Sequence, residues 1–110
     1  MQAPEPRSQM VKGLVDLAVL NVLSHGESYG YEILSWFEKA GLDDVGHASL
    51  YGSLKRLEGD GSVTTTERPS PLGPARRYYA LSPAGEERRQ SLRSAWVGLQ
   101  DSLRMLEDGL

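Results

Sequence analysis

The sequence predicts a mainly α-helical fold with a small β-hairpin: a winged helix-turn-helix plus a C-terminal dimerisation helix. Three observations predict it. Three helical segments follow one another across residues 9–60, each closed by glycine. Two short runs of strand character, residues 62–68 and 76–81, flank the stretch PSPLGPA. A last segment carries Leu92, Trp96, Leu99, Leu103, Leu106 and Leu110 at alternating spacings of four and three. The organisation so predicted is a disordered tail over 1–8, a winged helix-turn-helix domain over 9–81 and a dimerisation helix over 82–110.

The tail contains two prolines. From Gln9 to about Ser24 the pattern is helical, with apolar residues on most of the circumference. A helix apolar nearly all round is buried on more than one side. In a domain this small, that predicts a second chain covering part of it, over Met10, Leu14 and Leu17. Gly26 is the expected C-terminal stop. Ser28 is the expected N-cap of a helix from Tyr29 to about Ala40. Its apolar stripe is Tyr29, Ile33, Trp36, Phe37 and Ala40. Gly30 within it weakens the helix by about 1 kcal/mol relative to alanine, which predicts a close packing contact there. Gly46 is the expected N-cap of the third helix, His47 to about Asp60.

The run Ser62–Arg68 is rich in β-branched residues, and Arg76–Leu81 supplies its partner. The prolines and glycine between them predict a wide hairpin tip. Tyr79 and Leu81 share a face by alternation, so at least one tyrosine of the pair Tyr78 and Tyr79 is expected in the core. Ser82-Pro83 is an N-cap followed by proline at the first helical position. The four-three spacing beyond it is a heptad seam.

Composition narrows the class. A charged fraction of 25% and a hydrophobic fraction of 39% suit a soluble globular chain. There is no cysteine, which removes disulfides and thiolate metal sites and fits a reducing cytoplasm. The longest apolar run, Gly13–Leu23, is too short to span a bilayer. Residues 1–9 lack the order of a signal peptide, so the expected location is cytoplasmic, with no membrane partner. No cofactor motif is present, and neither His25 nor His47 has an acidic partner at fixed spacing, so an enzyme is not expected.

The net charge is −3, but it is unevenly placed. Residues 1–45 balance to −4, residues 46–81 to +2 and residues 82–110 to −1. The positive segment contains the third helix, HASLYGSLKRLEGDG. Its inner face is Leu50, Leu54 and Leu57; its outer face is trimmed to Ala48, Gly52, Lys55 and Arg56. The second helix of a helix-turn-helix enters the major groove, about 12 Å wide, and must be slim. Ser49 and Ser53 suit base edges or phosphates, Lys55 and Arg56 phosphate or guanine, and the helix start at His47 a phosphate. Tyr51 is expected to pack its ring and direct its hydroxyl outward, within reach of a phosphate. Arg68, Arg76 and Arg77 lie where a wing meets the flanking backbone. For Arg76 and Arg77 the alternative is solubility and cross-strand pairing with Glu67. Trp96 reads first as a dimer contact. Two copies across a twofold axis would also bracket a gap lined with indole faces, able to hold a flat aromatic ligand.

The ordered set of residues resembles the PadR family of transcriptional regulators, in its short form with one C-terminal helix. The resemblance rests on Leu20-Asn21-Val22-Leu23 with Gly26, then Tyr29-Gly30-Tyr31-Glu32-Ile33. It continues through Ser49-Leu50-Tyr51, Leu54-Lys55-Arg56-Leu57-Glu58, Asp60-Gly61, Arg76-Arg77-Tyr78-Tyr79-Ala80-Leu81-Ser82 and Gly85. It implies a homodimeric bacterial repressor that binds double-stranded DNA at pseudo-palindromic operators through the third helix and wing. It implies dimerisation of the last helix against the partner's first helix. Some short members of that family carry a tryptophan at the place of Trp96 and bind planar aromatic drugs between the paired rings, which implies multidrug sensing. The chain departs from the family at Gly52, where proline is frequent, at Ser82, where threonine is usual, and in its proline-rich wing tip. The rival expectation is a winged-helix protein-interaction module without specific DNA binding.

Overall fold

The computed structural model of the chain describes residues 6–110. Its elements run α1 (Pro6–Val11), a 3-10 turn (Lys12–Leu14), α2 (Val15–Leu23), β1 (Ser28–Tyr29), α3 (Gly30–Lys39), α4 (His47–Gly59), β2 (Val63–Ser70), β3 (Gly73–Leu81) and α5 (Pro83–Asp108). The three strands form one antiparallel sheet in the order β1-β3-β2.

The core is built by α2, α3, α4 and the root of the wing. Val19, Leu20, Ile33, Leu50 and Leu57 are wholly buried, with Leu23, Phe37, Leu54, Val63 and Tyr79 nearly so. The inner stripe of α4 is therefore fully spent on the core, as the sequence pattern requires. Ala18, Leu34, Leu42, Leu81 and Leu92 pack against the cluster from its edge.

Several expectations change. Of the tail expected over 1–8, residues 1–5 lie outside the described residues, while residues 6–8 form the start of α1. Arg7 fixes that end by donating to the Gly41 carbonyl and pairing with Asp44 at 3.6 Å. The first helix is broken by the 3-10 turn at Lys12–Leu14, where the backbone tightens around Gly13. Six apolar residues of α2, including Leu17, are already buried within one chain, because α3, α4, α5 and β3 surround it. All-round apolarity is thus satisfied internally and is no argument for a second chain. Ser28 does not cap α3. It sits in β1 opposite Tyr79, and its hydroxyl donates to Glu32 at 2.6 Å.

The wing is longer and tighter than expected. Val63 pairs with Leu81 and the ladder continues to Ser70 opposite Gly73, leaving Pro71-Leu72 as the tip. Pro69 sits at the register shift between Arg68 and Ser70, on the edge strand, where a missing N–H breaks no ladder bond. The start of α5 is as read: the Ser82 hydroxyl accepts from the Gly85 N–H at 3.0 Å. That hydroxyl donates to the Gly61 carbonyl at 2.6 Å, so the cap also fastens α5 to the end of α4. Gly85 is buried against the Ser62 carbonyl, where a side chain would overlap backbone. The predicted close contact at Gly30 is present too: the Tyr51 hydroxyl occupies the space of a Cβ.

Candidate nucleic-acid interface

The outer face of α4 is a strip of exposed small and cationic residues on a rigid apolar base. Ala48, Ser49, Lys55 and Arg56 are exposed, and Gly52 is half-buried beneath the Arg56 side chain. Gly46 is extended at the N-cap and makes no side-chain cap, which leaves the N-terminal amides of α4 to solvent or a ligand. His47 is exposed at that end. It meets Tyr31 edge-on with ring centroids 5.5 Å apart and stacks loosely on Tyr51 at 6.3 Å.

Ser53 must be removed from the outer face. It is wholly buried, and its hydroxyl donates to Asp16 Oδ1 at 2.6 Å. A serine there reads as polar surface, but α2 crosses α4 at this position and supplies the acceptor. Tyr51 is half-exposed, with its hydroxyl against Gly30 and not turned freely outward.

The wing stands beside this strip. An open groove of about 610 Å³ separates its tip from the starts of α3 and α4, with Tyr29, Tyr31, Tyr51, Leu72, Arg76 and Arg77 on its walls. Arg76 lies over the Tyr29 ring at 4.5 Å and Arg68 over Tyr78 at 4.9 Å. These cation–π contacts hold the guanidinium planes while leaving N–H edges for an acceptor. Glu67 stands opposite Arg77 in the ladder, but the carboxylate nearest Arg77 is Glu58, at 3.6 Å. Tyr79 belongs to the core, and burial pushes its phenol up. Tyr78 is half-buried under Arg68.

Two residues of this surface were not anticipated. Lys12 borders a depression of about 220 Å³ with Ser49, Gly52 and Arg56. It is far from α4 in the chain, and only the 3-10 turn brings it there. Tyr31 is strongly exposed beside His47. A polar-facing tyrosine next to a helix start is the only local signal, and it is weak.

A family model described as transcriptional regulator PadR-like family matches residues 19–91. The chain belongs to that family. The match runs from the middle of α2 to the first turns of α5, so it includes both helices of the helix-turn-helix and the whole wing. This PadR-family chain is 32% identical to a Streptococcus transcriptional regulator of known structure, with a TM-score of 0.78, covering 90% of this chain and 97% of that one. It is 30% identical to a PadR-like transcriptional regulator from Bacillus cereus, with a TM-score of 0.77, covering 93% and 99%. An uncharacterized protein of Lysinibacillus sphaericus is 24% identical over an alignment of 106 residues, covering 94% of this chain and 97% of that one. PadR-family proteins are DNA-binding transcriptional regulators with a winged-helix fold, not enzymes. Among the described residues no helix is long and apolar enough to cross a membrane.

The residues expected at a dimer interface divide in two. Leu17 is buried and Leu92 packs on the chain's own core, so neither is a free interface residue. Leu14 is half-buried. Met10, Trp96, Leu99, Leu103 and Leu106 are exposed, Leu103 at 64%. Beyond Leu92 every residue of α5 is exposed, Val97 and Met105 included.

Proposed function

We propose that the chain is a sequence-specific repressor that acts as a homodimer on a pseudo-palindromic operator in the cytoplasm. In this reading α4 enters the major groove by its N-terminal end, with Ser49, Gly52, Lys55 and Arg56 toward base edges and phosphates. His47 and the amides at the start of α4 take a phosphate. Arg68, Arg76 and Arg77 follow the flanking backbone. The observation that carries it is the outer strip of α4: slim, cationic and solvent-facing, on a helix whose other face is wholly committed to the core.

Selection tests this directly. The purified protein is mixed with fragments of its source genome at about physiological salt, and bound DNA is sequenced. The expected result is enrichment of one or a few inverted repeats. Absence of enrichment, with only weak binding, rejects the reading.

The second half of α5 supplies the dimer seam through Trp96, Leu99, Leu103 and Leu106, with Met10 and Leu14 from the partner's N-terminal helices. Trp96 is 38% exposed in the single chain. Paired across a twofold axis, two such rings hold a planar aromatic ligand by stacking, and the ligand releases the operator through its preference for one spacing of the two α4 helices. Planar cationic dyes are the probe. Trp36 also responds to them, because it is exposed and stacked on His25 at 5.2 Å. The test therefore uses a Trp36→Phe background, in which dyes are expected to quench Trp96. A Trp96→Ala protein that binds the dyes equally well rules the site out.

One observation favours the rival, a protein-interaction module without specific DNA binding. Arg56, Arg68 and Arg77 each hold a carboxylate of their own chain. Salt separates the two, since a phosphate-neutralising protein loses DNA affinity steeply as salt rises.

A further inference from the structure

Three arginines of the proposed DNA face are each met by a carboxylate from a neighbouring element. Arg56 Nη2 stands 2.9 Å from Asp16 Oδ1, joining α4 to α2. Arg77 Nη2 stands 3.6 Å from Glu58 Oε2, joining β3 to α4. Arg68 pairs with Glu27, from the segment between α2 and β1. The pattern spans the whole face, from the helix to both strands of the wing.

Two of these carboxylates are anchored from behind. Ser53 donates to the same Asp16 oxygen that Arg56 meets, at 2.6 Å, and Thr65 donates to the Glu58 oxygen nearest Arg77, at 2.9 Å. In the first pair the Arg56 side chain is 62% exposed and Asp16 only 22%. The acid is held in place and the arginine rides over it. Such exposed pairs add little to stability. Their effect on an approaching polyanion is larger, because each paired guanidinium projects little net positive potential and must exchange its carboxylate for a phosphate.

We propose that Asp16, Glu27 and Glu58 are specificity-determining residues that compete with phosphate for Arg56, Arg68 and Arg77 and so suppress binding to non-operator DNA. The inference rests on the DNA-binding reading above. On a non-operator duplex, phosphate contacts supply nearly all the affinity, and three of the available cations are occupied. On the operator, base contacts by α4 fix the register and hold phosphates against the same arginines, so exchange goes forward. The competing carboxylates widen the ratio between the two.

The test measures binding of a fluorescent random-sequence duplex by anisotropy over a range of salt. The proteins are the wild type, Asp16→Asn, Glu58→Gln and, as an equal change of net charge at an exposed residue of α5 outside these pairs, Glu87→Gln. Asn at position 16 keeps an acceptor for Ser53. Asp16→Asn and Glu58→Gln are expected to bind about three- to tenfold tighter than wild type, with a salt slope steeper by up to about 0.9 for each arginine released. Glu87→Gln should match wild type. In Asp16→Asn/Arg56→Gln the gain should vanish, because the carboxylate acts through that arginine. Equal binding by wild type, Asp16→Asn and Glu58→Gln overturns the inference alone, as does a gain that survives loss of Arg56. No binding by any of the proteins at low salt overturns the DNA-binding reading and the inference with it.

Discussion

At the scale of single residues, two glycines and one arginine are the sharpest tests. Gly85 faces the Ser62 carbonyl so closely that a methyl group would overlap it. Backbone cannot yield as a side-chain tip can, and overpacking of this kind costs about 3 kcal/mol. Gly85→Ala should therefore lower the thermal midpoint by well over ten degrees, read by circular dichroism; an unchanged midpoint would mean that α5 does not seat on the loop after α4. Gly30→Ala meets the Tyr51 hydroxyl and the ring carbon that bears it, the end of a side chain that can swing away. It should cost less, and Gly30→Ala with Tyr51→Phe less still. Arg56→Ala should weaken operator binding about tenfold, the loss of one good polar contact, while leaving the oligomeric state unchanged. Unaltered affinity in a binding titration would remove Arg56 from the interface. The sequence anticipated Gly30 but not Ser53. A glycine inside a helix announces a neighbour wherever it lies, whereas a serine looks the same whether it faces water or a buried aspartate.

At the scale of elements, long periodic segments were legible and short or crowded ones were not. α3, α4 and α5 lie within about a residue of where their apolar spacing places them, although Ser28 does not cap α3, and Ser82 caps α5 as its Ser-Pro start implies. β1 is two residues long and has no period to detect. The wing tip read as a wide loop because prolines cannot donate to a ladder, yet on an edge strand and at a register shift they need not. The outer cations were legible as residues, but not their partners, since Asp16 and Arg56 are joined only by the crossing of α2 over α4. The first turn of α5 carries its own test. Glu86 accepts from Arg89 at 2.8 Å and from Gln90 at 3.0 Å. Those hydrogen bonds, from Arg89 first, pull its pKa down from 4.5 to about 2. A carboxylate with a depressed folded pKa adds stability that is complete above the unfolded value and lost as pH falls through the folded one. The Glu86 carboxyl resonance should thus titrate near pH 2, and return toward 4.5 in Arg89→Ala.

At the scale of the whole molecule, the decisive feature is a helix that outruns its domain. α5 has 26 residues, about 39 Å of helix. Its only wholly buried residue is Gly85 in the first turn, and Arg89 ties it to α2 through the Asn21 side chain at 3.2 Å. Past Leu92 it carries Trp96, Leu99, Leu103 and Leu106 into solvent on one seam. A helical stretch with no tertiary contact is marginal in water, because nucleation is costly and packing supplies most helical stability. If a second copy covers the seam, folding and association are linked, and the apparent stability depends on protein concentration. The wild-type thermal midpoint should then rise measurably between about 1 and 100 μM chain, as mass action requires for a dimer. Leu103→Asp places a charge at the middle of the seam. It should sediment as a monomer, melt at a midpoint independent of concentration, and lose helicity from α5 while the core, which ends at Leu92, stays folded. A Leu103→Asp protein that still sediments as a dimer with wild-type helicity would move the interface off α5, and with it the pairing of the two Trp96 rings on which the ligand site depends.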